Sequence, residues 1–274
     1  MSPELRATYR IQLHRGFSFS DAAAITDYLA ELGISHLYCS PYLQAAPGST
    51  HGYDVVNPQQ VNQELGGPNG HARLCAALEE NGLNQVLDIV PNHMAIGGRE
   101  NPWWWDVLEN GPSSRYAAYF DVDWDPPEAK LRNTVLLPVL GDHYGRVLEK
   151  SELVLEREGG QFIIRYHDHL FPVSPRSLDE LIAAAARRCD SDDLAFIAEA
   201  LRQLPPSTAT DWSAVQRRHR NKEVLRRQLV RLCEEQPQVA AALDQTVAEL
   251  NSDPDQLDAL LERQNYRLAF WRTA

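Results

Sequence analysis

Gln85-Val86-Leu87-Asp88-Ile89-Val90-Pro91-Asn92-His93 is an apolar run with one carboxylate inside it and a Pro-Asn-His exit. A short apolar run bounded by turn signals suits a parallel strand buried on both faces, and Pro91 stops strand and helix alike. The stretch is expected to be a central strand feeding a loop. An ionised carboxylate taken out of water needs partners, so Asp88 must be paired, hydrogen-bonded or used in chemistry. Taken alone, the stretch reads as a satisfied aspartate and a surface histidine, and only its surroundings can add to that.

Upstream, Thr8 to Leu13 alternates and is rich in strand formers, and His14-Arg15-Gly16 turns the chain. Ser20 is expected to cap a helix whose buried stripe is Ile25, Tyr28, Leu29 and Leu32, with Gly33 closing it in a left-handed conformation. Ile34 to Cys39 reads as a second strand. Tyr42 to Gly70 reads as one long loop, a length that in a compact domain points to function or disorder. A helix from His71 to Asn81, with Leu74, Ala77 and Leu78 inward, leads into Gln85. This β-α-β-α-β order predicts a parallel α/β sheet, doubly wound or barrel, with ligands beyond the carboxyl ends of the strands.

The chain has 274 residues, 43% of them hydrophobic, with a formal net charge of −12. That predicts one or two domains with a sizeable core. The acidic balance opposes a phosphate-tracking role, so no nucleic acid is expected and a neutral or cationic ligand fits better. Cys39, Cys75, Cys189 and Cys233 form no C-x-x-C pair, which argues for reduced thiols and a cytoplasmic setting, without a zinc site or disulfide framework. Met1 to Arg10 lacks a basic-then-apolar signal and no membrane span is read.

After His93 the character changes. Trp103-Trp104-Trp105 and then Tyr116, Tyr119, Phe120 and Trp124 form an aromatic-rich segment, expected to be mostly core with a ring at a ligand. Leu153 to Arg157 and Phe162 to His167 flank Gly159-Gly160 as a hairpin. From Ser177, where Ser177 to Glu180 reads as a capping box, apolar spacing predicts a run of helices. The basic block Arg217, Arg218, Arg220, Lys222, Arg226 and Arg227 is read as a solvated helix face.

Asp54 and Asp88 are the two acids at expected strand ends or their loops, and two carboxylates flanking a bond are what glycoside chemistry needs. His51, His93 and Asp88 lack metal-ligand spacing, and neither a nucleophile-elbow serine nor a phosphate-cradling glycine loop is present.

Four segments together carry a family resemblance: Thr8-Tyr9-Arg10-Ile11-Gln12-Leu13, Ser40-Pro41-Tyr42-Leu43, Gly48-Ser49-Thr50-His51-Gly52-Tyr53-Asp54-Val55 and Asp88-Ile89-Val90-Pro91-Asn92-His93. The chain resembles the α-amylase superfamily of barrel glycosidases. With Asn101 to Glu109, Tyr116 to Trp124, Leu137 to Gly141 and Tyr266 to Arg272, it resembles more narrowly the maltooligosyltrehalose synthases. The resemblance implies that Tyr53 stacks on the sugar beside the scissile bond, Asp54 places it, His93 hydrogen-bonds it and Asp88 supports the site. Gln12, His51, Asn92, Trp103 and Trp104 are further candidates for substrate contact. None of these is the nucleophile or acid of the family, which removes Asp54 and Asp88 as a catalytic pair and places the reacting carboxylates beyond Ala274.

A closed eight-stranded barrel takes about 250 residues without insertions, and only three barrel strands are read here. The expectation is therefore the N-terminal part of a (β/α)8 barrel at 1–93, a mostly helical inserted domain with a small β-hairpin at 94–265, and a return toward the barrel at 266–274. The implied reaction turns the reducing-end α-1,4 bond of a maltooligosaccharide into an α,α-1,1 bond by retaining intramolecular transglycosylation, with the insert as a lid against water. The implied partners are the maltodextrin substrate and a maltooligosyltrehalose trehalohydrolase acting next. No cofactor or metal is expected, calcium at Asn92 included. An amylase-like hydrolase or glucanotransferase, and a non-catalytic glucan-binding fragment, are the rival readings.

Overall fold

Three parallel strands organise the first of two units into which the chain divides, Met1–Pro102 and Trp103–Ala274. The structure is a computed structural model and describes residues 4–273. In chain order the first unit contains β1 (Thr8–Ile11), α1 (Phe19–Ala23), α2 (Thr26–Glu31), β2 (His36–Cys39), β3 (Leu43–Ala45), β4 (Val55–Val61), α3 (Gly67–Glu80) and β5 (Asn84–Leu87). The sheet order is β1-β2-β5, and its register sets Arg10 beside Tyr38 and Tyr38 beside Val86. Strand side chains alternate between faces. Ile11, Leu37 and Cys39 therefore point into the core with Phe19, Ala22, Leu29, Leu74 and Leu78, while Arg10 and Tyr38 lie on the opposite face.

The Gln85 to Val90 stretch departs from expectation. Its strand ends at Leu87 and, among the described residues, pairs only with β2, so it is an edge rather than a central strand. Leu87 and Ile89 are 57% and 68% exposed, as fits an edge strand and the segment that leaves it. The first helical segment also differs. It breaks at Ala24 and Ile25, and the buried stripe is Phe19, Ala22, Thr26 and Leu29, leaving Tyr28 and Leu32 more than half exposed at 57% and 55%. Ser18, not Ser20, is the cap: its hydroxyl accepts from the helix while Asp21 accepts from the Ser18 N–H at 2.7 Å, a reciprocal capping box. The expected long loop is structured. It holds the antiparallel pair β3–β4, in which Val55 and Val56 are buried.

The second unit contains α4 (Pro102–Asn110), β6 (Val135–Leu140), α5 (Tyr144–Glu149), β7 (Leu153–Glu158), β8 (Gln161–Tyr166), β9 (His169–Pro172), α6 (Asp179–Cys189), α7 (Asp192–Arg202), α8 (Trp212–Glu235), α9 (Pro237–Asn251), α10 (Pro254–Leu261) and β10 (Tyr266–Phe270). The expected hairpin is present as β7–β8, with Gly159 at φ +59° as the first turn residue, and β9 adds a third antiparallel strand. The residues at 266–270 form β10, which pairs in parallel with β6. The run of helices expected after Ser177 is present, and Leu194, Ile197, Ala198 and Leu201 of α7 and Val239, Leu243, Val247 and Leu250 of α9 are buried in one core. Ser177 forms no capping box: it lies in a 3-10 turn, donates to the Ser174 carbonyl at 2.7 Å and accepts from Gln264 at 3.0 Å.

The basic block is the larger correction. Arg218 and Lys222 are buried and Arg226 is half-buried, one turn apart along α8, while Arg217, Arg220 and Arg227 face solvent. The inward row meets α4. Lys222 and Arg226 both pair with the buried Glu109, and Lys222 lies 3.6 Å from Asp106. Arg218 donates to Asn110 Oδ1 at 3.1 Å, the Pro205 carbonyl at 2.6 Å and Ser174 Oγ at 3.3 Å. Burial of such cations is tolerated because each finds carboxylate or carbonyl partners.

Candidate functional site

The loop between β3 and β4 carries the Gly-Tyr-Asp segment and is held from several sides. Gly52 sits at φ +78°, and a Cβ there would lie 2.9 Å from the Pro41 carbonyl oxygen, so no other residue fits without displacement. Ser49 Oγ accepts from the Gly52 N–H at 3.1 Å and donates to Asp54 Oδ1 at 2.5 Å. His51 Nδ1 accepts from the Tyr53 N–H at 3.1 Å and lies 3.7 Å from Asp54 Oδ1. Gln12 donates to the Thr50 carbonyl at 2.8 Å, tying the loop to the end of the first strand. These bonds aim Tyr53 and fix Asp54 as an internal acceptor.

Beyond the end of β5, Asp88 meets three groups through one oxygen. Tyr53 donates to Oδ2 at 2.6 Å and Tyr38 at 3.2 Å, while Arg10 Nη2 lies 3.7 Å away. Arg10 also donates to the Tyr53 hydroxyl oxygen at 2.8 Å. The Asp88 hydrogen bond is the largest influence on Tyr53 and holds its phenol pKa above the ordinary tyrosine value. His93 Nε2 lies 3.1 Å from the Tyr53 carbonyl oxygen, which can only accept, so that nitrogen carries the proton. Farther on, the Ala95 N–H donates to Val55 O at 2.8 Å and Asn101 to Ala95 O at 2.9 Å. The exit segment is thereby pinned to β4.

Tyr53, Asp88 and His93 thus come together from two loops, with Asp54, His51 and Gln12 bracing the first of them. Asn92 is exposed in the exit segment. Asp54 and Asp88 are each held by their own partners: Ser49 on one, and Tyr53 and Tyr38 on the other. Trp103 and Trp104 belong to the second unit. Trp104, a candidate for substrate contact in the sequence, is a core residue there at 5% exposure, and Trp103 stacks on Tyr116 with centroids 5.1 Å apart. Arg10 and Tyr38 were not signalled as site residues. The signal available was that both sit on alternate positions of strands whose other positions are apolar, which puts them on one face only once the register is known.

Among the described residues no three His, Cys, Asp or Glu side chains gather as metal ligands. No helix among them is long and apolar enough to cross a membrane. What the cluster offers chemically is an oriented phenol ring, a carboxylate and an imidazole, groups suited to recognising a hydroxylated neutral ligand.

Residues 23–159, half of the chain, match the family model of the α-amylase catalytic domain. The chain belongs to that family. A candidate maltooligosyl trehalose synthase of Mycobacterium tuberculosis is 45% identical over 179 residues, covering 63% of this chain and 22% of the relative. The maltooligosyltrehalose synthase structure from Arthrobacter ramosus is 41% identical over 62% of this chain and 21% of its own, with a TM-score of 0.55. A structure described as DSM5389 glycosyltrehalose synthase matches 98% of this chain and 27% of its own at 28% identity and a TM-score of 0.63. Within the family, the likeness that extends over most of the chain is therefore to maltooligosyltrehalose synthases. The chain spans about a fifth to a quarter of their length.

Proposed function

We propose that residues 1–274 supply the sugar-holding wall of a maltooligosyltrehalose-forming enzyme. In this reading Tyr53 stacks on the sugar beside the scissile bond, His93 and Asp54 place it, Asp88 anchors Tyr53, and Gln12, His51 and Asn92 complete the surround. Residues 1–93 form the N-terminal part of a (β/α)8 barrel, 94–265 an insertion, and 266–274 the return. The reaction is the retaining intramolecular transfer that turns the reducing-end α-1,4 bond of a maltooligosaccharide into a terminal α,α-1,1 bond. Its product has no reducing end, so a trehalohydrolase that cuts the adjacent α-1,4 bond is the fitting next step. The four free thiols support a cytoplasmic setting.

The observation that carries the reading is the joining of Tyr53, Asp88 and His93 through the Tyr53 hydroxyl and carbonyl, in a chain 45% identical over 179 residues to the mycobacterial relative. The reacting carboxylates are not among these residues, so the chain alone binds without turnover. Calorimetric titration with maltopentaose should give saturable binding that Tyr53→Ala weakens at least ten-fold, and no change in reducing power on incubation. Absence of binding, or isomerisation by residues 1–274 alone, would remove the reading.

A further inference from the structure

We propose that Arg10 is a positioning residue of this site, orienting the Tyr53 ring and directing its hydroxyl proton. The inference rests on the reading of Tyr53 as the sugar-stacking ring. Arg10 stands on β1, and its guanidinium carbon lies 4.8 Å from the centroid of the Tyr38 ring on the neighbouring strand. Nη1 donates to the Ile11 carbonyl at 3.2 Å, which holds the plane, and Nη2 is then 2.8 Å from the Tyr53 oxygen. A guanidinium has only donors and a carboxylate, when ionised, only acceptors. The Tyr53 oxygen must therefore accept from Arg10, and its single proton goes to Asp88 Oδ2 at 2.6 Å.

That arrangement triangulates the ring. Tyr53 lies on a loop, and a bond to Asp88 alone would let the phenol swing about that contact. The second bond comes from a strand, and the planar fork is itself fixed by Tyr38 and by a backbone carbonyl. A lysine would keep the charge without the fork or the stacked plane. Arg10 is 36% exposed at its side chain, so its value lies in direction rather than in stability.

The test is a titration of Tyr53 in the whole chain labelled with 13Cζ-tyrosine, its signal assigned by its loss in Tyr53→Phe. In the parent chain Tyr53 should titrate above ordinary tyrosine because of Asp88. If Arg10 positions the ring, Arg10→Gln releases it from Asp88 and the titration falls back toward the ordinary range. If Arg10 merely adds charge, its loss removes a cation that favours phenolate and Tyr53 titrates higher than in the parent. That rise, or an unchanged titration, would overturn the proposal. Should Arg10→Gln fail to fold, Arg10→Lys keeps the charge and loses the fork, and the same fall is expected. Maltopentaose binding should weaken about ten-fold in Arg10→Gln, and no further in Arg10→Gln/Tyr53→Phe than in Tyr53→Phe, whereas additive losses count against positioning. A parent chain that binds no maltopentaose would remove the functional reading and leave the Tyr53 titration to decide the role of Arg10.

Discussion

The Tyr53 hydroxyl donates to Asp88 Oδ2 at 2.6 Å, joining a loop that precedes the second sheet's long strand to the carboxylate beyond β5. The bond separates two roles of Tyr53, its ring face and its hydroxyl. Tyr53→Phe keeps the face and loses the bonds to Asp88 and Arg10, so it should cost about 1 kcal/mol of stability, a charge-assisted bond discounted for exposure. Maltopentaose affinity should fall by less than in Tyr53→Ala, which also loses the ring. Urea unfolding and calorimetry on the same pair of variants measure the two effects.

Glu109 and Lys222 are each 4% exposed at the side chain and face each other across α4 and α8, with Arg226 on the second Glu109 oxygen. Removing one member of such a group strands the others away from water. Lys222→Met should destabilise the chain by about 3 kcal/mol, while Arg217→Ala on the exposed face of the same helix should change it by less than about 0.5 kcal/mol. Equal effects in urea unfolding would show that the inward row carries no special weight.

These pairs also mark what the sequence could and could not reveal. β1, β2 and β5 were legible because short apolar runs alternate with amphipathic helices, and the candidates Tyr53, Asp88 and His93 because they sit in recognisable segments, Tyr53 in the loop before β4 and the other two beyond β5. The inward face of α8 was not read, although Arg218, Lys222 and Arg226 recur every four residues. Glu109, which pairs with Lys222 and Arg226, is 113 residues from Lys222, so nothing local distinguishes a solvated cation from a buried one. The break between α1 and α2 shifted the buried stripe for a related reason: Ser18 and Asp21 reset where the helix begins. The place of Arg10 beside Tyr38, and so its approach to Tyr53 and Asp88, depends on the pairing of β1 with β2.

Acid should lower the stability of the second unit in two steps. Burial pushes the His219 pKa down, and Asp106 at 3.6 Å only partly opposes it, so the folded chain holds a ring that the unfolded chain would protonate. A depressed pKa gives stability that is present above the unfolded value, about 6.5, and lost as pH falls through the folded one. Burial alone would raise the Glu109 carboxyl, yet Lys222 and then Arg226 outweigh it and hold the pKa at about 2, against 4.5 when free. Its contribution is complete above about pH 4.5 and disappears toward pH 2. Stability measured from pH 8 to 2 should decline first below about 6.5 and again below about 4.5. His219→Gln should flatten the upper limb and Glu109→Gln the lower, and a curve unaltered by both would refute the assignment.

Gly52 offers a way to move the site without touching any side chain proposed to meet the ligand. Its φ of +78° and the 2.9 Å approach of an added Cβ to the Pro41 carbonyl mean that Gly52→Ala must shift backbone, since the obstructing atom is not a flexible side-chain end. The shift should cost about 1–3 kcal/mol. It would also disturb the Gly52 bond to Ser49 and, through it, Asp54. The expected result is loss of maltopentaose affinity together with a Tyr53 titration moved toward ordinary tyrosine. Gly48→Ala is the matched control: Gly48 also has a positive φ, at +76°, but nothing lies within 4 Å of an added Cβ. Backbone strain alone should then lower stability in Gly48→Ala while leaving the Tyr53 titration in place. If both alanine variants moved that titration equally, the close contact with Pro41 would have no part in aiming Tyr53.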